Sequence, residues 1–164
     1  MSGRKHKYVA AFTIAELLIA LAIMSILLAA VAVAFKASIE SYRENENIFK
    51  TINNARQAML RMTSQIRTGD NFNTADPPNR CSFFTAGNED ITYEYRIADN
   101  KLYLITNING SEYVLCSNVA SMSFDPTQTQ DGTDVKSVQI SMTVAIGNIQ
   151  KTISAATVVR KNLD

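Results

Sequence analysis

Apolar and polar positions divide the chain into three regimes. From Tyr8 to Phe35 the sequence is almost unbroken apolar, and the 19 residues from Leu17 to Phe35 carry no charge and only Ser25 as a polar group. A helix rising about 1.5 Å per residue spans roughly 28 Å over that stretch, close to the hydrocarbon thickness of a bilayer. A soluble core helix this apolar needs protein on every side, which the β-patterned remainder cannot easily provide. A membrane-spanning helix is therefore expected. Arg4, Lys5 and Lys7 before it and Lys36 after it favour a cytoplasmic N-terminus and an extracytoplasmic bulk.

The helical period continues past Lys36. Ile48, Ile52, Ala55, Met59, Met62 and Ile66 keep one face apolar, while Glu40, Arg43, Glu44, Glu46, Lys50, Arg56, Arg61 and Arg67 occupy the others. No Pro or Gly interrupts Phe12 to Thr68, and Gly69-Asp70-Asn71 supplies a stop, so one helix of about 55 residues is predicted. Its second half, 36–68, is expected to pack on a sheet. Pro77-Pro78 marks 69–80 as a loop.

From Cys81 the period becomes two. Ile91-Tyr93-Tyr95-Ile97 alternates with polar residues, and Asp99-Asn100 and Asn109-Gly110 mark turns. Val138-Ile140-Met142-Val144-Ile146, Gly147-Asn148 and Ile149 to Val159 form a clear hairpin pattern. An antiparallel, β-rich domain over 81–164 with one apolar face follows, giving an α+β fold.

Composition changes the picture little. The 164 residues are 46% hydrophobic and 19% charged, with net charge +1, so a polybasic nucleic-acid binder is disfavoured. The single His, His6, precedes the apolar stretch, and two Cys cannot form a Cys₄ zinc site. No Gly-rich phosphate loop is present. Enzymatic chemistry is not expected. Cys81 and Cys116 would face an oxidising compartment, and a disulfide between them is expected, two separate buried thiols being the alternative. Asp125, Asp131 and Asp134 lie in one oxygen-rich loop that suits calcium, although the spacing matches no EF-hand and a merely solvated loop is the alternative.

Glu16 is the exception inside the apolar stretch. A carboxylate there is costly unless it reaches water or a positive partner, and the span contains no basic residue. Ala11-Phe12-Thr13-Ile14-Ala15-Glu16-Leu17-Leu18 resembles the processing site of type IV pilins and type II secretion pseudopilins. The resemblance implies a pilin-like fold, a long N-terminal helix on an antiparallel sheet. It also implies a leader, 1–11, removed by a prepilin peptidase that N-methylates the new terminus, and an assembly half of the helix over 12–35. Cleavage would fall between Ala11 and Phe12, with Phe12 methylated and Glu16 the assembly carboxylate; Ala11 stands where the family usually has Gly. Implied partners are the peptidase, membrane lipid before assembly, and other minor pilins or pseudopilins through the helix. Residues 55–67 and 158–163 are similar to J-type pseudopilins and W-type minor pilins. The competing reading is an ordinary secretory signal cut after Ala32-Val33-Ala34, before Phe35.

Overall fold

The computed structural model describes residues 12–130 and 132–162. Its architecture is the α+β, pilin-like one expected: one long N-terminal helix, α1 (Ile14–Thr68), followed by antiparallel sheets. Two compact units are present, one up to Asn45 and one from Glu46 onward. The first consists, among its described residues, of Phe12, Thr13 and α1 as far as Asn45.

In the second unit the chain forms β1 (Arg80–Phe84), β2 (Asp90–Arg96), β3 (Lys101–Thr106), β4 (Ser111–Ser117), β5 (Val119–Gln128), β6 (Val135–Ile146) and β7 (Ile149–Val158). The predicted single meander is two: a four-stranded sheet ordered β1-β2-β3-β4 and a three-stranded sheet ordered β5-β6-β7, all antiparallel. The switch takes a single residue. Asn118, between β4 and β5, adopts φ 60°, a left-handed conformation that Asn tolerates better than most residues. Its carbonyl accepts the Ala145 amide, and the next amide, Val119, donates to Asn100. The Tyr95 hydroxyl donates to the Ala120 carbonyl at 3.0 Å, tying the first sheet to β5.

Helix and sheets share one core. Ala55, Ala58, Met59, Met62 and Ile66 on α1 are buried with Phe83, Tyr93, Leu102, Ile140, Met142 and Val144. The predicted stripe is thus buried from Ala55 to Ile66, Ala58 joins it, and Ile52 packs at its margin. Polar contacts fix the docking: the Tyr93 hydroxyl donates to the Gln65 side chain, and Thr157 Oγ1 donates to the Thr63 carbonyl at 3.3 Å. The helix stops where backbone must approach an aromatic ring. A Cβ on Gly69 would lie 2.6 Å from Phe83 Cδ2, and Phe83 is in turn stacked on Phe72 at 4.9 Å.

The expected Cys81–Cys116 disulfide is absent; both residues are buried free thiols. Topology forbids the bond, because Cys81 lies on β1 and Cys116 on β4, at opposite edges of the four-stranded sheet. Three strand spacings separate them by roughly 14 Å, whereas a disulfide needs Cα atoms within about 7 Å. Burial, helped by the nearby Asp76 carboxylate, pushes the Cys81 thiol up to about 12, and burial pushes Cys116 up to about 11. The protein unfolded without reductant should therefore show both thiols to a thiol reagent and migrate identically with and without reductant. A reductant-dependent shift that Cys116→Ser abolishes would contradict this topology.

The short 3-10 turn at Arg160–Asn162 is tied back to the end of α1. Lys161 Nζ lies 2.7 Å from Asp70 Oδ2, and that hydrogen bond holds the Asp70 carboxyl below its ordinary value. A depressed carboxylate stabilises the fold above its unfolded pKa and loses that contribution as pH falls through the folded value. Both side chains are about half exposed, so the pair is worth under about 1 kcal/mol. Asp70→Asn should lower stability slightly at pH 7 and make the melting temperature less sensitive to acidification below about pH 4; an unchanged acid limb in melts of the two proteins would contradict the assignment.

Candidate functional site

The site begins with the helix terminus. The first amides of any helix lack intrahelical acceptors, and here Thr13 and Glu16 supply them reciprocally. The Thr13 amide donates to Glu16 Oε2 at 2.9 Å and the Thr13 hydroxyl to the same oxygen at 3.0 Å. The Glu16 amide donates back to Thr13 Oγ1 at 3.3 Å, and the Leu17 amide reaches the Thr13 carbonyl at 3.2 Å. This is a capping box, with Thr13 as the N-cap and Glu16 three residues on. A carboxylate in the first turn also lies at the positive end of the helix dipole.

The arrangement assigns Glu16 a partner within its own chain. Charge alone makes Glu16 a carboxylate in need of water or a cation and does not point to Thr13; the Thr-x-x-Glu spacing before an apolar run is the signal for such a cap. Both Thr13 donors load the same carboxylate oxygen. Glu16 Oε1 accepts no hydrogen bond from any described residue.

Phe12 is 86% exposed directly before this box. Ala11, the other half of the expected processing site, lies outside the described residues. Beyond Glu16 the helix exposes Leu17, Leu18, Leu21, Ile26, Leu28, Val31 and Phe35 to more than half of their surface. That much contiguous apolar surface needs lipid or other helices around it. By length and composition, α1 can cross a membrane.

The remaining candidates do not converge. Asp125, on β5, accepts the Ser123 hydroxyl at 3.3 Å. The Asp134 amide donates to Thr129 Oγ1 at 3.2 Å, and Asp131, the third carboxylate of the expected calcium set, lies outside the described residues. Among the described residues no group of three or more His, Cys, Asp or Glu side chains is placed to hold a metal ion. A polar cleft of about 360 Å³ gathers Asp76, Arg80, Asp90, Thr92 and Asn107. Its groups largely satisfy one another: Asp76 accepts the Ser82 amide at 2.6 Å, and Asn107 donates to Asp90 at 2.6 Å and to Thr92 at 3.0 Å.

Residues 6–32 match the family model of the prokaryotic N-terminal methylation motif. The match supports a precursor of the pilin or pseudopilin type, and it implies processing by a prepilin peptidase and assembly with other pilins. With the apolar helix, it is consistent with single-pass anchoring in the inner membrane. No curated protein and no solved structure matches the chain.

Thr13→Val keeps the side-chain shape but removes the hydroxyl. Loss of the cap should speed hydrogen exchange at the Glu16 and Leu17 amides about fivefold in detergent-solubilised protein, with exchange near Met62 unchanged. Equal exchange in both proteins would remove the capping role.

Proposed function

We propose that this chain is a minor pseudopilin or pilin, a structural subunit and not an enzyme. It inserts in the inner membrane with its β-rich unit outside, is cut between Ala11 and Phe12, and helps initiate or cap a type II secretion pseudopilus. The observation that carries the reading is the coincidence of two things: the methylation-motif match over 6–32 and a capped helix start at Thr13–Glu16 directly after Phe12.

The chemistry of the step is simple. Removing 1–11 takes away Arg4, Lys5 and Lys7 and turns the side-chain balance from +1 to −2. It also creates an α-amine at Phe12, which methylation leaves cationic. In an apolar bundle an isolated amine and an isolated carboxylate are each costly. The Phe12 amine of one subunit, set against Glu16 of a neighbour, relieves both costs and so reports correct axial register. The likeness of 55–67 and 158–163 to J- and W-type subunits supports a tip or initiating position. Calcium at Asp125, Asp131 and Asp134 is no part of this reading, nor is direct contact with nucleic acid.

Mass spectrometry of the protein from native membranes should find N-methyl-Phe12 at the mature terminus. An intact Met1 would favour a singly anchored binding domain that never polymerises, and Phe35 a conventional signal peptide. Glu16→Ala should insert in the membrane as the parent does but be strongly depleted from sheared filaments; equal incorporation would remove Glu16 from assembly. Loss of enzyme secretion on deletion supports a pseudopilus, and loss of twitching or DNA uptake a type IV pilus.

A further inference from the structure

The β1–β2 pair has two faces. Cys81 and Phe83 on β1 and Ile91, Tyr93 and Tyr95 on β2 turn to the core. Alternation therefore places Arg80, Ser82 and Phe84 opposite Glu94, Thr92 and Asp90 on the outer face. That face is more than a flat solvated surface. Thr92 is fully buried on it, its hydroxyl 2.9 Å from Ser82 Oγ and accepting Asn107 Nδ2 at 3.0 Å. The loop after α1 stands beside it through Asp76, which accepts the Ser82 amide at 2.6 Å and the Asn73 side chain at 2.9 Å. These groups floor and wall the polar cleft of about 360 Å³, a size within the roughly 300–1,000 Å³ of small-ligand sites.

One group in the cleft is left over. Arg80 faces Glu94 across the ladder, but the Glu94 carboxylate is taken by Arg96 at 2.8 Å. Asp76 holds Ser82 and Asn73, and Asp90 holds Asn107. Arg80 Nε is buried without an acceptor, and no described residue accepts a hydrogen bond from the rest of its guanidinium. A buried donor in this condition is destabilising and calls for a partner.

We propose that this cleft binds a neutral saccharide of two rings. Arg80 needs acceptors, whereas Asp76 and Asp90 keep lone pairs that need donors. A hydroxyl group is both. An anion would suit Arg80 but meet two carboxylates, and a cation would meet Arg80; a neutral polyol meets neither repulsion. Adjacent sugar hydroxyls also set two oxygens side by side, which a guanidinium fork engages with paired N–H donors. Phe84 lines the same cleft and offers an apolar wall for the C–H face of a ring. Arg80 and Phe84 stand at the two ends of β1, about 13 Å apart at ~3.3 Å per residue, a span that suits two rings better than one. The carboxylates are already held in place, and the guanidinium can turn to the ligand without breaking a bond. The inference does not depend on the proposed assembly role.

The test uses the full ¹⁵N-labelled chain in a polyoxyethylene detergent, which has no sugar headgroup. Lactose, cellobiose and N,N′-diacetylchitobiose are titrated in, with acetate and inorganic phosphate as the anions. At least one disaccharide should move the Ser82, Thr92 and Asn107 amide signals saturably at millimolar concentration, leaving Ser141 and Thr152 on the second sheet in place. Arg80→Gln should weaken that binding about tenfold, with the melting temperature within a few degrees of the parent's. Asp90→Asn separates the ligand classes, because it should weaken a saccharide but strengthen an anion. Should Arg80→Gln unfold, the response of Asp90→Asn decides alone. No saturable shift with any of the three disaccharides, equal binding by Arg80→Gln, or binding of acetate or phosphate that Asp90→Asn strengthens would overturn the proposal.

Discussion

Everything in the second unit is organised by one constraint: a single stripe on α1 must be buried against two sheets at once. Ala55, Met59, Met62 and Ile66 recur at helical spacing, and small Ala55 and Ala58 let the helix approach closely while Met62 and Ile66 fill the depth. The strands answer with every second residue, Phe83, Tyr93, Leu102, Ile140 and Met142 among them. Each fully buried apolar side chain contributes about 1.5–3 kcal/mol, against which the surface ion pairs are minor. The helix end is set by the same contact, since only glycine fits at position 69 beside the Phe83 ring.

The other end of the helix solves a different problem. Bare amides are costly in an apolar environment, and the Thr13–Glu16 box satisfies two of those at the helix start, Thr13 and Glu16, locally. A carboxylate with one oxygen committed to its own helix start is oriented before any partner arrives. Preorganisation of this kind makes a single charge pair informative about register, because a misplaced neighbour meets an oxygen already in use. On this account the cap and the assembly contact are two uses of one residue.

Much of this was legible in the chain. The stripe from Ile52 to Ile66, the stop at Gly69, and the Gly147-Asn148 hairpin follow from periodicity and turn chemistry, which are local. What local pattern could not carry was the division into two sheets: Asn118 looks like any turn residue, and only the long-range pairing of β5 with β6 shows where the meander breaks. The disulfide expectation failed for the same reason. Cysteine count and compartment say that two thiols could pair, but strand order, a non-local property, places them at opposite edges. The cap is local too: Thr13 lies three residues before Glu16, a Thr-x-x-Glu spacing ahead of an apolar run, although the charge of Glu16 taken alone points to a cation and not to that hydroxyl.

The central claim is that Glu16 meets the terminal amine of a neighbouring subunit. Filaments assembled from a mixture of two preparations, one carrying ¹⁵N-Phe12 and the other ¹³C-labelled Glu16, allow the dipolar coupling between the two to be measured by solid-state NMR. Because the labels sit on different chains, any coupling is intermolecular. The account predicts a strong coupling corresponding to a charge-assisted hydrogen bond with nitrogen and oxygen about 2.8 Å apart. Normal filaments in which the mixed labels show no coupling would contradict it.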